Sequence, residues 1–471
     1  MVKRYVILLL ALAACDPGRT LHPTDRSTIT PQQLYGSKQN LPTARLSAIG
    51  DFQIAFGGSA DEAGGGHEGH INMTGLFVDE LTDEETFPTR IQVDTRIAPA
   101  VNASLRGVFL DLQTTRVSAE RTDTAYQKFD SLNVGHAEMV DLAGFDYVMF
   151  AENYCSGIPF STLAFTGKIT YGEPLPTDSI YGRAFADFQR AAHLAQATIV
   201  AANDTGDAAT AAEAQIYLYA AQVGMGRVLL DEGQYGAAAT AVSGIPGNFA
   251  YQMEFSTNTV KQNNGVWYYG APGGFLFGVS DIEGVNGLQF TDTSSMAVSP
   301  TVDPRVPVQN TQQFGFNGFS FPFMNQLKYP VASSNIDVAD GIEAKLILAE
   351  AAFKASDFAT EKANLDSARA QFGPPVFATV SPIPIDSVAG LDGNNATLTF
   401  FRERAFDLYL TAHRLSDLRR LVRQYGFDPN AVFPIGLDAT TGTNYGSDVT
   451  LPGSSDEANN PLYHGCLNRN P

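Results

Sequence analysis

Two segments of this chain follow one plan, and that plan limits the folds open to it. "AAEAQIYLYAAQVGMGRVLLDEGQYGAAATAV" predicts an amphipathic helix to about Asp231, a turn at Gly233 and a shorter Ala-rich helix. "GIEAKLILAEAAFKASDFATEKANLDSARAQFG" repeats the layout. Its first helix carries Ile342, Leu346, Ala349 and Phe353, its turn lies near Ser356 and Asp357, and Leu365, Ala368 and Phe372 line the second helix. In both turns a small residue is followed by a polar one, an aromatic and a new helix. Small-residue-rich helix pairs of about 34 residues are the mark of tetratricopeptide-type repeats, which bury their apolar faces by stacking. Here the pairs are degenerate and spread along the chain.

Helical periodicity continues outside the pairs. "PAVNASLRGVFLDLQTTRV" opens at Pro99 and places Val101, Leu105, Val108 and Leu112 on one stripe. "VGHAEMVDLAGFDYVMFAENYC" closes at Gly157-Ile158-Pro159. "YGRAFADFQRAAHLAQATIVAA" aligns Phe185, Phe188, Ala192, Ala195 and Ile199, with His193 beside the stripe as a boundary residue. "FFRERAFDLYLTAHRLSDLRRLV" (400–422) reads as one helix with Phe401, Ala405, Leu408, Ala412, Leu415 and Val422 on a stripe. Its charged face pairs Arg404 with Asp407 and Arg414 with Asp417 at i,i+3 spacing. Residues 246–335 break the pattern. They are rich in Gly, Asn and aromatics and predict short strands and long loops, which in a compact protein tend to be functional.

The N-terminus fixes the compartment. "MVKRYVILLLALAAC" has a basic start at Lys3 and Arg4, then an apolar run too short to span a bilayer, so it reads as an export signal. Its ending, Leu12-Ala13-Ala14-Cys15, looks like a bacterial lipobox, which puts cleavage before Cys15 and acyl chains on the cysteine. The alternative is an ordinary signal peptide cut near Ala14. Either reading exports the chain. Residues 1–15 are then the signal ending in the lipidated Cys15, 16–45 a polar tether, and 46–471 one globular domain carrying the 246–335 insertion. The nature of Asp16 leaves the sorting route open.

Export decides what the other cysteines do. Cys155 and Cys466 are an even pair in an oxidising compartment, which favours a disulfide pinning "HGCLNRNP" to the core. A nucleophilic Cys155 would need a base, and His136 is the histidine nearest it in sequence. His67 and His70, in "GGSADEAGGGHEGH", have a metal-ligand spacing but no visible third ligand, and a solvated Gly-rich loop is the preferred reading. The 50 acidic against 30 basic residues give a net charge of −20. That excludes a nucleic-acid partner, which needs a concentrated basic surface.

The segment "ERAFDLYLTAHRLSDLRR" (403–420) resembles the C-terminal helix of the SusD/RagB family of nutrient-uptake lipoproteins. Glu403, Arg404, Leu408, Arg414, Asp417, Leu418 and Arg420 match its pattern, Asp407 stands for a Glu, and Thr411 and Leu415 depart from it. "GFDYVMFAENYCSGIPFS" and "LKYPVASSNIDVADGIEAKLILAEA" are similar to two further segments of that family, and the lipobox is a fourth point of likeness. The resemblance implies a mainly α fold: a solenoid-like scaffold of irregular tetratricopeptide-like helix pairs, with a loop-rich region of short strands. It also implies a surface lipoprotein on the outer membrane that captures oligosaccharides or peptides. The captured ligand would pass to a TonB-dependent channel of the SusC type, without catalysis or cofactor.

Sugar recognition pairs aromatic rings with amides and carboxylates. Asn263, Asn264, Trp267, Tyr268, Tyr269, Asp281 and Glu283 supply those types within one loop segment, and Trp267 is the only tryptophan. An aromatic cluster packed under the loop is the competing reading of the same residues. Two other functions compete with binding. One is a lipid-anchored glycoside hydrolase, which needs a carboxylate pair at a separation no sequence displays. The other is a tetratricopeptide-type scaffold that binds protein alone. No G-x-S-x-G, H-E-x-x-H or Walker-type loop is present, and "GMGRV" (224–228) lies within a helical pattern.

Overall fold

A computed structural model describes residues 29–60, 67–164, 168–284, 287–292, 294, 300–372 and 393–471. The lipobox, Cys15 and residues 1–28 lie outside them. The described chain is mainly helical with short two-stranded sheets. Helices Leu41–Gly57, Ala103–Phe129, Val134–Asn153, Thr177–Thr205 and Ala208–Asp231 pack in succession. Tyr235–Ala241, Gly341–Lys354 and Phe358–Arg369 extend the stack.

Small residues let these helices approach closely. Phe188 is fully buried, and a Cβ on Gly144 or Gly224 of the two flanking helices would collide with its ring. Burying that side chain stabilises the stack by about 2–3 kcal/mol. Starts are set by Asn102, Asn133, Asp207, Asp340 and Asp357, whose side chains accept backbone N–H groups of the first turn. Both pair turns fall where they are expected: Gly233 has φ +74° and Ser356 φ +58°.

Several expectations shift. Helix Ala103–Phe129 starts after Val101, which is exposed, because Asn102 is the cap. In Thr177–Thr205 the inward stripe is Ile180, Tyr181, Ala184, Phe188, Ala191 and Ala195, so Phe185, Ala192 and Ile199 are only half-buried and His193 is exposed. The lead-in is helical from Pro31 to Leu34 and again from Leu41, and Leu41 and Ala44 are buried, so packing begins before residue 46. His70 is not in a solvated loop: it is fully buried at the start of helix His70–Phe77, its Nε2 3.1 Å from Asn153 Nδ2. Burial holds His70 down to about 3. His67 instead pairs with Asp111 at 2.8 Å.

The largest correction concerns 400–422. It is two helices, Gly393–Asp407 and Arg414–Tyr425, separated by a break in which Leu410 (φ +51°) and Ala412 (φ +65°) are left-handed. Distant groups hold the break open. Tyr329 Oη donates to the Leu410 carbonyl at 3.0 Å, Lys328 donates to the Tyr409 carbonyl, and the Leu410 N–H donates to Glu80 Oε1 at 3.1 Å. The Lys-Tyr dipeptide of the family-like segment is therefore a clamp on this break. The supposed charged face is buried and pairs elsewhere. Arg404 meets Asp417 at 3.0 Å, Asp407 meets Arg305 at 2.9 Å, and Arg414 meets Glu283 at 2.6 Å.

Cys155 and Cys466 form a disulfide across 311 residues. Around it the Cys155 N–H donates to Leu451 O at 2.8 Å and the Leu467 N–H to Ser156 O at 2.8 Å. The bridge and these bonds fasten the C-terminal tail to the end of helix Val134–Asn153. Closing a loop of this length constrains the unfolded chain and contributes about 2–4 kcal/mol. One contiguous apolar core runs from Leu41 to Leu451. No described helix is long and apolar enough to cross a membrane.

Candidate ligand cleft

Strand Leu81–Asp83 pairs antiparallel with Phe277–Val279 of the loop-rich region, with Thr82 opposite Gly278. Alternation buries Leu81 and Asp83 and turns Thr82 the other way, where its hydroxyl donates to Thr440 Oγ1 at 3.1 Å. Strands Val308–Asn310 and Met324–Gln326 form a second antiparallel pair, and the segment joining them stands beside the first. The Asn317 N–H donates to Glu84 O at 2.8 Å and the Phe316 N–H to Phe275 O at 2.9 Å, tying the segment to the first sheet.

Between these parts and the 437–445 loop lies a cleft of about 640 Å³. Phe319 and Phe321 form one wall. Phe314, Phe316, Phe319 and Phe321 are 53, 55, 67 and 47 % exposed, and the Phe314 and Phe321 ring centroids are 4.9 Å apart. Four adjacent exposed phenylalanines are not a solvent-adapted surface; such patches mark binding sites. Phe323, fully buried and edge-on to Phe275 at 5.4 Å, anchors the segment from beneath.

The floor is polar. Glu84 is buried among the cleft residues, its Oε2 without a protein partner, and Gly278 and Gly315 leave the space its carboxyl occupies. Burial pushes Glu84 up to about 8, so near pH 7 it presents a hydroxyl donor as well as an acceptor. Asp438 accepts the N–H groups of Thr440 and Thr441, each at 2.9 Å, and so shapes its own loop. Tyr445 donates to Asp79 Oδ2 at 2.6 Å, and that oxygen also accepts the Gly284 N–H at 2.6 Å.

Of the seven residues expected from sequence to bind ligand, Asp281 alone lines this cleft. Asn264 is buried as a cap: its Nδ2 donates to Ser334 O at 2.8 Å and its Oδ1 accepts the Trp267 N–H at 3.0 Å. Tyr269 is buried against Phe277 at 4.9 Å with Arg90 above its ring, and Glu283 is buried on Arg414. Trp267 and Tyr268 pack half-buried against the core, and the Asn263 N–H closes a turn onto Val260 O. For these aromatics, the reading as a packed cluster under the loop is the better one. Thr82, Glu84, Thr440 and Tyr445 had no sequence signal. The phenylalanines did: "FGFNGFSFPF" (314–323) sets five Phe among Gly, Asn, Ser and Pro, where no core stripe can form. No group of acids, His or Cys among the described residues is arranged to hold a metal ion.

No protein-family model matches the chain, and no curated sequence does. Solved structures do. A SusD-like carbohydrate-binding protein of Bacteroides fragilis aligns with TM-score 0.60 and 15% identity, over 90% of this chain and 98% of its own. A SusD superfamily protein of Bacteroides vulgatus aligns with TM-score 0.58 and 14% identity, over 91% and 98%. A laminarin-binding SusD-like protein aligns with TM-score 0.53 and 13% identity, over 92% and 99%.

Proposed function

Taking as premise that this chain has the SusD/RagB-like fold, we propose that it is a lipid-anchored, surface-facing binding protein for oligosaccharides. In this reading it hands its ligand to a TonB-dependent channel of the SusC type in the outer membrane. The observation that carries the binding role is the exposed phenylalanine wall over a polar floor. Sugar rings offer C–H faces to stack on Phe319 and Phe321, while their hydroxyls reach Thr82, Glu84, Asp281 and Thr440. Neighbours of the same fold described as carbohydrate-binding and laminarin-binding support the same ligand class.

The expected result is that Phe319→Ala/Phe321→Ala weakens binding of a recognised glycan at least about tenfold in calorimetry, the loss of one or two stacking contacts. Far-UV circular dichroism should be unchanged, since both rings stand outside the core. Undiminished affinity in the double variant would remove the cleft from consideration. The protein should bind without consuming its ligand; reducing ends released on prolonged incubation would instead favour the hydrolase.

The anchor rests on Leu12-Ala13-Ala14-Cys15. Cys15→Ala is expected to abolish incorporation of labelled palmitate and to leave the protein out of the membrane fraction. Persistent labelling would overturn the lipobox assignment. Co-purification of a channel with the anchored protein, absent from the Cys15→Ala form, tests the partner.

A further inference from the structure

We propose that the cleft selects uncharged oligosaccharides and discriminates against glycans carrying uronate or sulfate groups, an inference that rests on reading the cleft as the ligand site. The ionisable side chains lining it are all acidic, Asp281, Asp438 and the protonated Glu84, with no lysine, arginine or histidine among them. Three cations on neighbouring elements are engaged elsewhere. Arg414 grips both oxygens of Glu283 at 2.6 and 2.7 Å, Arg96 donates to the carbonyls of Asp448 and Pro434, and Lys328 donates to that of Tyr409. None of the three lines the cleft.

A second layer of acid lies directly behind the floor. Asp79, Asp83 and Asp94 are buried there, with Asp79 bonded to the cleft residue Tyr445 and the Asp83 N–H bonded to Asp94 Oδ2 at 3.1 Å. Burial first, and then the proximity of Asp438, Asp79 and Asp83, raises Asp94 well above the ordinary carboxylate range. The site already resists holding its own negative charges, and an anionic sugar would add another with no counter-charge to meet it. The net charge of −20 extends the same repulsion to the approach of a polyanion. A neutral pyranose has none of these penalties. Its hydroxyls donate to the carboxylates, the Glu84 carboxyl can donate in return, and its ring covers the phenylalanine wall.

The test is calorimetry and affinity electrophoresis on the full chain in detergent. One set of probes is neutral: laminari-, cello-, malto- and xylo-oligosaccharides. The other is anionic: oligogalacturonate, oligoalginate and a sulfated galactan fragment. A chitosan oligomer serves as the cationic control. The expected outcome is binding to at least one neutral probe that Phe319→Ala/Phe321→Ala weakens. Anionic probes should bind at least about tenfold less tightly at low salt, the gap narrowing as salt screens the acids. Asp281→Lys should narrow it further by strengthening oligogalacturonate. Two results overturn the inference while leaving the cleft as the site: Phe-sensitive binding of an anionic probe as tight as any neutral one, or chitosan preferred over all neutral probes. Binding of no glycan, or glycan binding indifferent to the Phe substitutions, overturns the cleft assignment and the inference together.

Discussion

Arg420→Met is expected to destabilise the protein by about 3–5 kcal/mol, read as a fall in the urea midpoint, because it strips the counter-charge from carboxylates that water cannot reach. Arg420 is fully buried where four helices meet. Its Nη1 lies 3.1 Å from Asp417 Oδ1, its Nε 3.5 Å from Asp231 Oδ1, and its Nη2 donates to Glu350. Glu350 and Asp417 are as deeply buried as the arginine. Methionine fills a similar volume, so the loss isolates charge rather than packing. Arg404, 3.0 Å from Asp417, would retain part of that carboxylate's compensation. Glu350 would keep the Tyr425 hydroxyl at 2.6 Å and little positive charge, since Arg404 Nη1 is 3.9 Å away. Pairing the change with Glu350→Leu removes the stranded carboxylate and should recover more than half of the loss. A midpoint change worth under about 1 kcal/mol for Arg420→Met would mean that water reaches these groups and that the network holds the helices only weakly.

The same network explains where sequence reading succeeded and where it stopped. The two helix pairs were legible because their signals are local: a glycine or serine at the left-handed turn, an aspartate cap and an inward row of small residues. The broken C-terminal helix was not, because its periodicity is intact across Leu410 and Ala412. What bends it there is Lys328, Tyr329 and Glu80, remote in sequence. The i,i+3 charges misled for the same reason. Spacing predicts that Arg404 meets Asp407 and Arg414 meets Asp417, but Arg305 and Glu283 arrive from distant loops and claim Asp407 and Arg414.

The candidate site shows a parallel division. Export chemistry anticipated the Cys155–Cys466 bridge, and residues 246–335 hold only short strands and short helices. Within that region, residue type alone could not separate a capping asparagine such as Asn264 or a core tyrosine such as Tyr269 from a ligand contact. The cleft's polar floor comes from three separate parts of the chain, 82–84, 280–284 and 438–445, which only the fold brings together. Of the cleft residues Asp281 was anticipated by its type, and the phenylalanine segment carries a readable signal of its own, apolar side chains with no periodicity to bury them.

Stability should rise as pH falls from about 8.5 to about 5, the reverse of the trend that salt-bridged carboxylates impose. Burial pushes Glu80 and Glu84 each up to about 8 and Asp340 to about 7, and holds Asp79, Asp83, Asp94 and Asp141 well above the ordinary range. An acid with a raised native pKa binds its proton more tightly folded than unfolded. Between about 4 and its native value the native state therefore carries more protons, and stability falls with rising pH through that window. At about 1.4 kcal/mol per pKa unit, one such carboxyl costs several kcal/mol by pH 8. Groups shifted the other way set the acid limit. Glu343, although buried, is held to about 2 by Arg227 and His413, so its contribution is present above about 4.5 and lost as pH falls towards 2. His70, held neutral by burial, opposes the trend from about 6.5 down to 3. His413, also pushed down by burial, acts in the same direction, but two histidines stand against many carboxyls, which places the optimum near pH 5 rather than at neutrality. Glu80→Gln mimics the protonated acid and keeps an acceptor for the Leu410 N–H. It should raise the melting temperature at pH 8, leave it nearly unchanged at pH 5, and flatten the profile between. A wild-type profile that climbs steadily from pH 5 to pH 8 would mean that these carboxyls ionise freely in the folded protein, and the polar floor of the cleft would then carry full negative charge at neutral pH.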